Sequence, residues 1–580
     1  MEPGKRVGWK SLPQMMLELA AHRQDQPMLR HWQDKAWRRV SWGEFAHRVA
    51  AVAAGLRQAG VAPGERVLLV SENRPEFVIA DTAIMAIGAV TLPTYTTNTT
   101  ADHAHILRDS GARAAIVSGA ALARKVVAAA EGGLDLLVTM EGEASAVLPG
   151  GRAMAWAALE ATPADLGLLR AEVEQIPPGR LACLVYTSGT GGAPKGVMLP
   201  HRAMLSNRQG VAQLADRLHL QGECYLSFLP LSHSYEHTVG GFLLPSLGVE
   251  VVYSRGADRL AAEFQEVKPA IITAVPRLFE VLRARLLAGV EKEGGWKEKL
   301  FFRAVALGLR RIDGPKLGLL ERVQDAVLER LVRGKVRQRF GGRLQAMVSG
   351  GARLDPDLSG FFIALGLPVI QGYGQTEAGP VISVNLPWDI RRETVGPPLP
   401  GVEARIAEDG ELCVRGELVM DGYWNQPEAT ARAIVPAADA APGDAPWLHT
   451  GDVAEIVDGR IRITDRKRDF IKTLGGDMVS PAKLEGLLMA EPEIAQAVVA
   501  GEGKPALVAL VVPADGQEAK VADAVARVNA KLSSIERIRK TQTVPAFTVE
   551  NGMLTPTMKV KRRVVLDAHA EKVEGLHGRG

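Results

Sequence analysis

Cysteine is scarce. Cys183, Cys224 and Cys413 are the only three in 580 residues, odd in number and without a Cys-x-x-Cys pair. This argues against a disulfide framework or a zinc site, and free thiols buried in a reducing compartment are the expectation. Net charge is also small, at +3 from 69 basic and 66 acidic residues, so no bulk attraction to nucleic acid or membrane is expected. Nowhere do ~18 apolar residues run without a charge or a breaker, which argues against a spanning helix. The opening Met1-Glu2-Pro3-Gly4-Lys5 lacks the apolar core of a signal peptide, and a cytoplasmic location is expected.

What is present is the balance of a globular protein, 47% apolar and 23% charged, at a length that calls for at least two domains. Early segments alternate in style. Arg66 to Val70 reads as a buried strand after the turn Pro63-Gly64, and a helix follows with Pro75 in its first turn. Ala89 to Leu92 reads as the next strand, Ala101 to Ser110 as a helix stopped by Gly111, and Ala114 to Val117 as another strand. Repetition of this kind argues for largely parallel α/β sheets. After about residue 390 the pattern changes. Glu403 to Arg415 and Val453 to Thr464 read as antiparallel hairpins turning at Asp409-Gly410 and Asp458-Gly459. Beyond the charged run Asp465 to Asp469, strands at Ala497 to Ala500 and Leu507 to Val512 and a helix near Ala519 to Lys531 indicate a small α+β domain. The division predicted is 1–464, a large domain of mostly parallel sheets flanked by helices plus a β-rich subdomain, and 465–580, a small C-terminal domain.

Between Gly314 and Phe340, Leu320, Val323, Val327 and Leu331 recur at helical spacing among arginines and lysines. A basic amphipathic helix can lie peripherally on a membrane surface. The commoner arrangement, a solvated face above an ordinary core stripe, is the expectation here.

The sharpest local signal is Leu184-Val185-Tyr186-Thr187-Ser188-Gly189-Thr190-Gly191-Gly192-Ala193-Pro194-Lys195-Gly196-Val197. An apolar strand enters a loop carrying three hydroxyls, several glycines and one lysine. Glycines let backbone N–H groups close around phosphate oxygens, while hydroxyls and lysine add donors and charge. Pro194 stands where a Walker A loop needs glycine before the lysine, which removes the kinase or GTPase reading. Downstream, Gln371-Gly372-Tyr373-Gly374-Gln375-Thr376-Glu377 follows the short apolar strand Pro368 to Ile370.

With these two motifs the sequence resembles the adenylate-forming superfamily of acyl-CoA synthetases, luciferases and peptide-synthetase adenylation domains, from about residue 10 to 566. Gly191 stands where the family usually has a threonine or serine. The resemblance implies that Thr187, Ser188, Gly189, Thr190 and Lys195 hold phosphate and that Tyr373 stacks on adenine. It assigns Thr376 to the α-phosphate and Glu377, with Thr187, to Mg²⁺. Gln371, Gly372 and Gly374 complete the nucleotide loop, and the small residues Gly350, Gly351 and Ala352 would allow close approach of adenine and the acyl head. Asp452, in Leu448-His449-Thr450-Gly451-Asp452, matches the aspartate that grips the ribose, and Arg466 the arginine that also reaches it, with His449 structural. His233 matches the family position near the acyl carboxylate, whereas His237 would face elsewhere. Arg468 matches the hinge of a mobile small domain, and Lys472 a lysine used in thioester formation.

An extended chain puts Lys559 and Lys561 on one face, so spacing cannot choose between them. Register against the family selects Lys559 as the catalytic lysine, although Met558 stands where many relatives have glycine. Ala274 to Glu280 and the helical insertion after it resemble the long-chain group. The implied activity is a fatty acid–CoA ligase using ATP, Mg²⁺ and coenzyme A through an acyl-adenylate, with no nucleic-acid partner. Two alternatives stay open: an adenylating enzyme that serves a carrier-protein thiol, and a non-catalytic protein that binds nucleotide or acyl-adenylate.

Overall fold

The computed structural model describes residues 8–142, 148, 150–187, 193–314, 316–437, 445–467, 470–475, 478–555 and 559–578. Buried β-branched and leucine runs form its central strands. Arg66–Val70 and Ala114–Val117 fall where the apolar runs predict them, and the strand between them is Val90–Thr94, slightly later than Ala89 to Leu92. Pro75 opens the helix Pro75–Ala86, and Gly111, left-handed at φ 65°, stops Thr100–Ser110.

Two eight-stranded sheets make up the larger part of the molecule among the described residues. In the first, strands from Arg152–Ala155 across to Leu181–Thr187 run parallel, and Lys195–Pro200 and Gly422–Tyr423 close one edge antiparallel. In the second, Cys224–Ser227, Glu250–Tyr253, Ile271–Ala274, Ala346–Ser349 and Val369–Gly374 are parallel neighbours, with the antiparallel Val381–Val384 at the edge. A third, antiparallel sheet contains both expected hairpins, Glu403–Ile406 with Glu411–Arg415 and the longer Trp447–Val457 with Arg460–Arg466. The fold is α/β, with a large N-terminal part and a smaller C-terminal part.

After residue 470 come the short pair Ile471–Lys472 and Met478–Val479, and a three-stranded sheet of Ile494–Ala500, Leu507–Pro513 and Ile538–Thr543. The helix expected near 519–531 is Val521–Asn529. The apolar clusters that use residues up to Ile463 share none with the two built from Ile471 onward.

Two readings need correction. The segment 314–340 is not one helix over a core stripe. It is a helix Leu319–Leu328, a wide π-turn 329–333 and a short helix Gly334–Arg339, and the stripe faces outward. The reason is that Leu328 and the buried Arg333, not the stripe, turn towards the neighbouring helix Gly295–Asp313. The thiols are all free, but Cys224 is only half-buried, its sulfur lying against Arg30 and Glu250. Among the described residues no helix is long and apolar enough to cross a membrane.

Candidate active site

The strand Leu181–Thr187 carries the phosphate loop at its end and pairs antiparallel with Lys195–Pro200, so that Thr187 and Lys195 stand opposite each other where the loop begins and ends. Ser188, Gly189 and Thr190 lie outside the described residues. Just before the lysine, the Pro194 carbonyl is 2.8 Å from Nε2 of His105. The Lys195 ammonium lies 4.9 Å from the ring centroid of Tyr423, a cation–π distance. The Tyr423 hydroxyl in turn donates to Oε1 of Glu377 at 2.9 Å. One tyrosine therefore touches both the lysine and the carboxylate.

The strand expected at 368–370 runs further, to Gly374, and pairs with Val381–Val384. It turns sharply at Gly374, where a side-chain carbon would sit 1.8 Å from the Pro380 carbonyl oxygen; only glycine fits. Tyr373 reaches across to Asp452, and Thr376 Oγ1 is 2.8 Å from Ser234 Oγ. Gln371 directs its amide to the Arg392 carbonyl, yet it lines the same cleft as Gly350, Gly351, Ala352, Gly372, Gly374 and Thr376. A carbon added at Gly350 would press on the Tyr235 ring at 3.0 Å.

Asp452 is buried, receives the Tyr373 hydroxyl at 2.6 Å and faces Arg466 Nε at 3.3 Å. Burial raises its pKa against the opposing pull of Arg466, Tyr373 and Lys559. Lys559 enters from the C-terminal part, its Cε alongside Gly351. Its backbone is tied to Thr555, whose hydroxyl accepts from the Lys559 N–H at 3.0 Å and whose N–H donates to the Lys559 carbonyl at 2.8 Å. Burial, then Arg466, pushes the Lys559 pKa down to about 8, and Asp452 and Glu377 pull it back.

His233 caps the short helix Ser234–Thr238, with Nδ1 accepting from the Tyr235 N–H at 3.1 Å. Burial, then Lys559, lowers its pKa to about 3, so it is a neutral imidazole whose Nε2 carries the proton. The helix is held from below by Glu236, which accepts from Tyr225, Ser227 and Thr273. His237 faces away as expected, against Asp81 at 2.9 Å.

The cleft encloses about 2920 Å³, several times the ~300–1,000 Å³ of a typical single-ligand pocket. Its nucleotide end is polar. Another part of the lining is apolar, built from Val211, Leu214 and Leu218 on one wall, Val239, Leu243 and Leu247 on another, and Ile271, Ala346 and Ile370 from the sheet.

Residues 17–424 match the family described as AMP-binding enzyme, and 468–579 match the AMP-binding enzyme C-terminal domain. The chain is an AMP-binding enzyme. Within that family it is 34% identical over 590 residues to the long-chain-fatty-acid–CoA ligase FadD15 of Mycobacterium bovis, covering 94% of this chain and 93% of the relative. It is 27% identical to long-chain-fatty-acid–CoA ligase 1 of Homo sapiens, over 94% of this chain and 83% of that one. In fold, this AMP-binding enzyme is similar to the A-PCP didomain of carboxylic acid reductase from Segniliparus rugosus, solved with AMP, at TM-score 0.75 and 21% identity, covering 100% of this chain and 83% of that one. The anthranilate CoA ligase AuaEII gives 0.73 at 21% identity, with 99% of this chain and 100% of that one covered.

Of the remaining residues singled out from sequence, Arg468 lies outside the described residues. Lys472 is exposed on its short strand, with its backbone N–H bonded to Glu502, and does not line the cleft. His449 does line it, 3.1 Å from Glu411 and 3.6 Å from the Cys413 sulfur. Two contributors escaped sequence reasoning. Tyr423 sits on a two-residue strand with no local pattern, and Glu411 looks like any hairpin residue. Yet Glu411 accepts from the Gly451 N–H and pairs with Lys467 and His449, fixing the part of the strand Trp447–Val457 that carries Asp452.

Proposed function

We propose that this AMP-binding enzyme is an AMP-forming ligase that joins long-chain fatty acids to coenzyme A, in two steps through an acyl-adenylate. The observation that carries this reading is the single cleft in which Lys195, Glu377, Asp452, Arg466 and Lys559 line a polar region continuous with an apolar one. The 34% identity to a long-chain ligase over nearly the whole chain supports the acyl class.

In the first step a carboxylate oxygen of the acid attacks the α-phosphorus of ATP. The bond from that phosphorus to the bridging oxygen breaks, and pyrophosphate leaves. Lys559 and Lys195 offset charge on the phosphates, Asp452 accepts from the ribose hydroxyls and Arg466 reaches the ribose. Tyr373 stacks on adenine, Thr376 donates to the α-phosphate, and neutral His233 offers its Nε2 proton to the acyl carboxylate. Catalysis is then positioning and electrostatics. In the second step the coenzyme A thiolate attacks the acyl carbonyl carbon, the thiol proton passes to solvent, and the carbon–oxygen bond to AMP breaks.

Glu377 and Thr187 present hard oxygen donors at the phosphate end, which suits Mg²⁺ with phosphate and water completing its shell. When bound, the ion would neutralise charge between phosphates.

The domain reading is part of the proposal: 1–464 binds nucleotide and acid, and 465–580 turns about Arg468. The separation of the apolar clusters on either side of that boundary supports it. So does the contrast between Lys559, facing the cleft, and Lys472, outside it: a small domain that rotates would exchange them.

The test is fatty-acid-dependent pyrophosphate exchange over a series of chain lengths, followed by thioester formation with coenzyme A or a carrier-protein thiol. Exchange and coenzyme A thioester that both peak with long acids are the expected result. Exchange with thioester only on the carrier protein would replace the acceptor, and no exchange with any acid would overturn the reading.

A further inference from the structure

The helix Leu319–Leu328 presents an apolar face that none of the described residues covers. Leu319, Leu320, Val323, Val327 and, just beyond it, Leu331 are each between 46% and 81% exposed. Their spacing puts them on one stripe, three to four residues apart. Single exposed leucines are ordinary, but five aligned on one element are not.

The stripe is held outward by the fold. Arg333, fully buried, donates to Asp325 Oδ1 at 2.6 Å, to the Ala304 carbonyl at 2.9 Å and to the Ala364 carbonyl at 2.7 Å. Leu328 packs with Ala304 and Leu307 on the opposite side. Rolling the helix to bury the stripe would strip that guanidinium of its partners inside the protein, at a cost of about 3–5 kcal/mol.

Charge identifies the occupant. Residues 295–339 hold twelve Lys or Arg against five Asp or Glu. Lys316, Arg322 and Arg330 are exposed around the stripe and make no ion pair among the described residues. Phe302 and Trp296, on the adjoining helix, are exposed as well. An apolar stripe bordered by exposed cations without acidic partners among the described residues matches a surface that offers hydrocarbon beneath negative charge. A second copy of the same face would bring like charges together.

We propose that this face docks the protein on an anionic lipid bilayer, with the stripe entering the interface and the cations resting on headgroups. The proposal stands on these residues alone and does not depend on the reaction the cleft performs.

Co-sedimentation of the full chain with vesicles tests it. Phosphatidylcholine mixed with phosphatidylglycerol should bind the protein, phosphatidylcholine alone should bind it far less, and added salt should weaken the binding. Leu320→Asp with Val323→Asp should weaken binding to the mixed vesicles at least ~10-fold, since two apolar side chains lose their burial. Arg322→Glu with Arg330→Glu should remove the preference for phosphatidylglycerol. Because all four side chains are exposed, thermal unfolding should stay unchanged, which separates loss of docking from loss of fold. Wild-type protein that ignores both vesicle types, or variants that bind as wild type does, would overturn the proposal. So would a dimer in sedimentation velocity that the aspartate variants dissociate while vesicle binding persists, since the face would then belong to a second copy.

Discussion

The Tyr373 hydroxyl donates to Oδ2 of Asp452 at 2.6 Å, while Oδ1 of the same carboxylate faces Arg466 Nε at 3.3 Å. The hydrogen bond joins the strand of the second large sheet to the third sheet across the polar end of the cleft. It fixes the aspartate's rotamer. Tyr373→Phe keeps the ring and removes only that hold. A hydrogen bond to a charged group contributes about 1.5–3 kcal/mol, so KM for ATP should rise by at least ~10-fold with kcat little changed. Initial rates over an ATP series check this, and a fall confined to kcat would contradict it.

Glu377→Gln keeps the shape of the side chain but removes the negative charge that accepts from Tyr423. Acyl-adenylate formation should drop by at least ~10²-fold, the scale of losing one placed electrostatic group. Raising Mg²⁺ should recover part of the loss. Tyr423→Phe should give a smaller defect of the same kind, because it loosens Glu377 without neutralising it. Wild-type pyrophosphate exchange in Glu377→Gln would remove the carboxylate from the mechanism.

Burial and Arg466 push the Lys559 pKa down to about 8, outweighing Asp452 and Glu377. Its folded pKa is below the usual lysine value, so the charged form is present below that pH and is lost as pH rises through it. The ratio kcat/KM for ATP reports the free enzyme and should therefore fall above about pH 8. Bound triphosphate adds negative charge and raises the pKa, so kcat should fall only at higher pH. Lys559→Ala should abolish adenylation yet still pass supplied acyl-AMP to coenzyme A, while Lys561→Ala should leave both steps near normal. Pyrophosphate exchange from pH 6 to 10, run beside the acyl-AMP assay, separates these outcomes.

Lys472 is exposed, with its backbone N–H bonded to Glu502 and its carbonyl accepting from the Gly503 N–H. Lys472→Ala should weaken thioester formation by about 10-fold, the scale of one lost charge contact, and leave exchange intact. A defect in exchange alone would assign the lysine to the other step.

Much of this was legible from residue types. The hairpin turns at Asp409-Gly410 and Asp458-Gly459, the stop at Gly111 and the strand into Thr187 each follow from local chemistry, and the structure has them there. Lys559 was not legible from spacing, which could not separate it from Lys561; register against the family selected it, and mutual hydrogen bonds tie it to Thr555. What was not legible depends on distant partners. Tyr423 matters only because Gly422–Tyr423 pairs with Val197 and Met198, which brings its ring over Lys195. Glu411 matters because Gly451 and Lys467 fold back onto it. The outward stripe on Leu319–Leu328 was misjudged for the same reason. Helical period reports that one face is apolar, whereas the buried Arg333, fourteen residues beyond Leu319, decides which way that face turns.

The apolar clusters that run up to Ile463 and those that begin at Ile471 share no side chain. A C-terminal part exchanged for that of a relative would therefore bring its own oily interior with it and leave that of the larger part undisturbed.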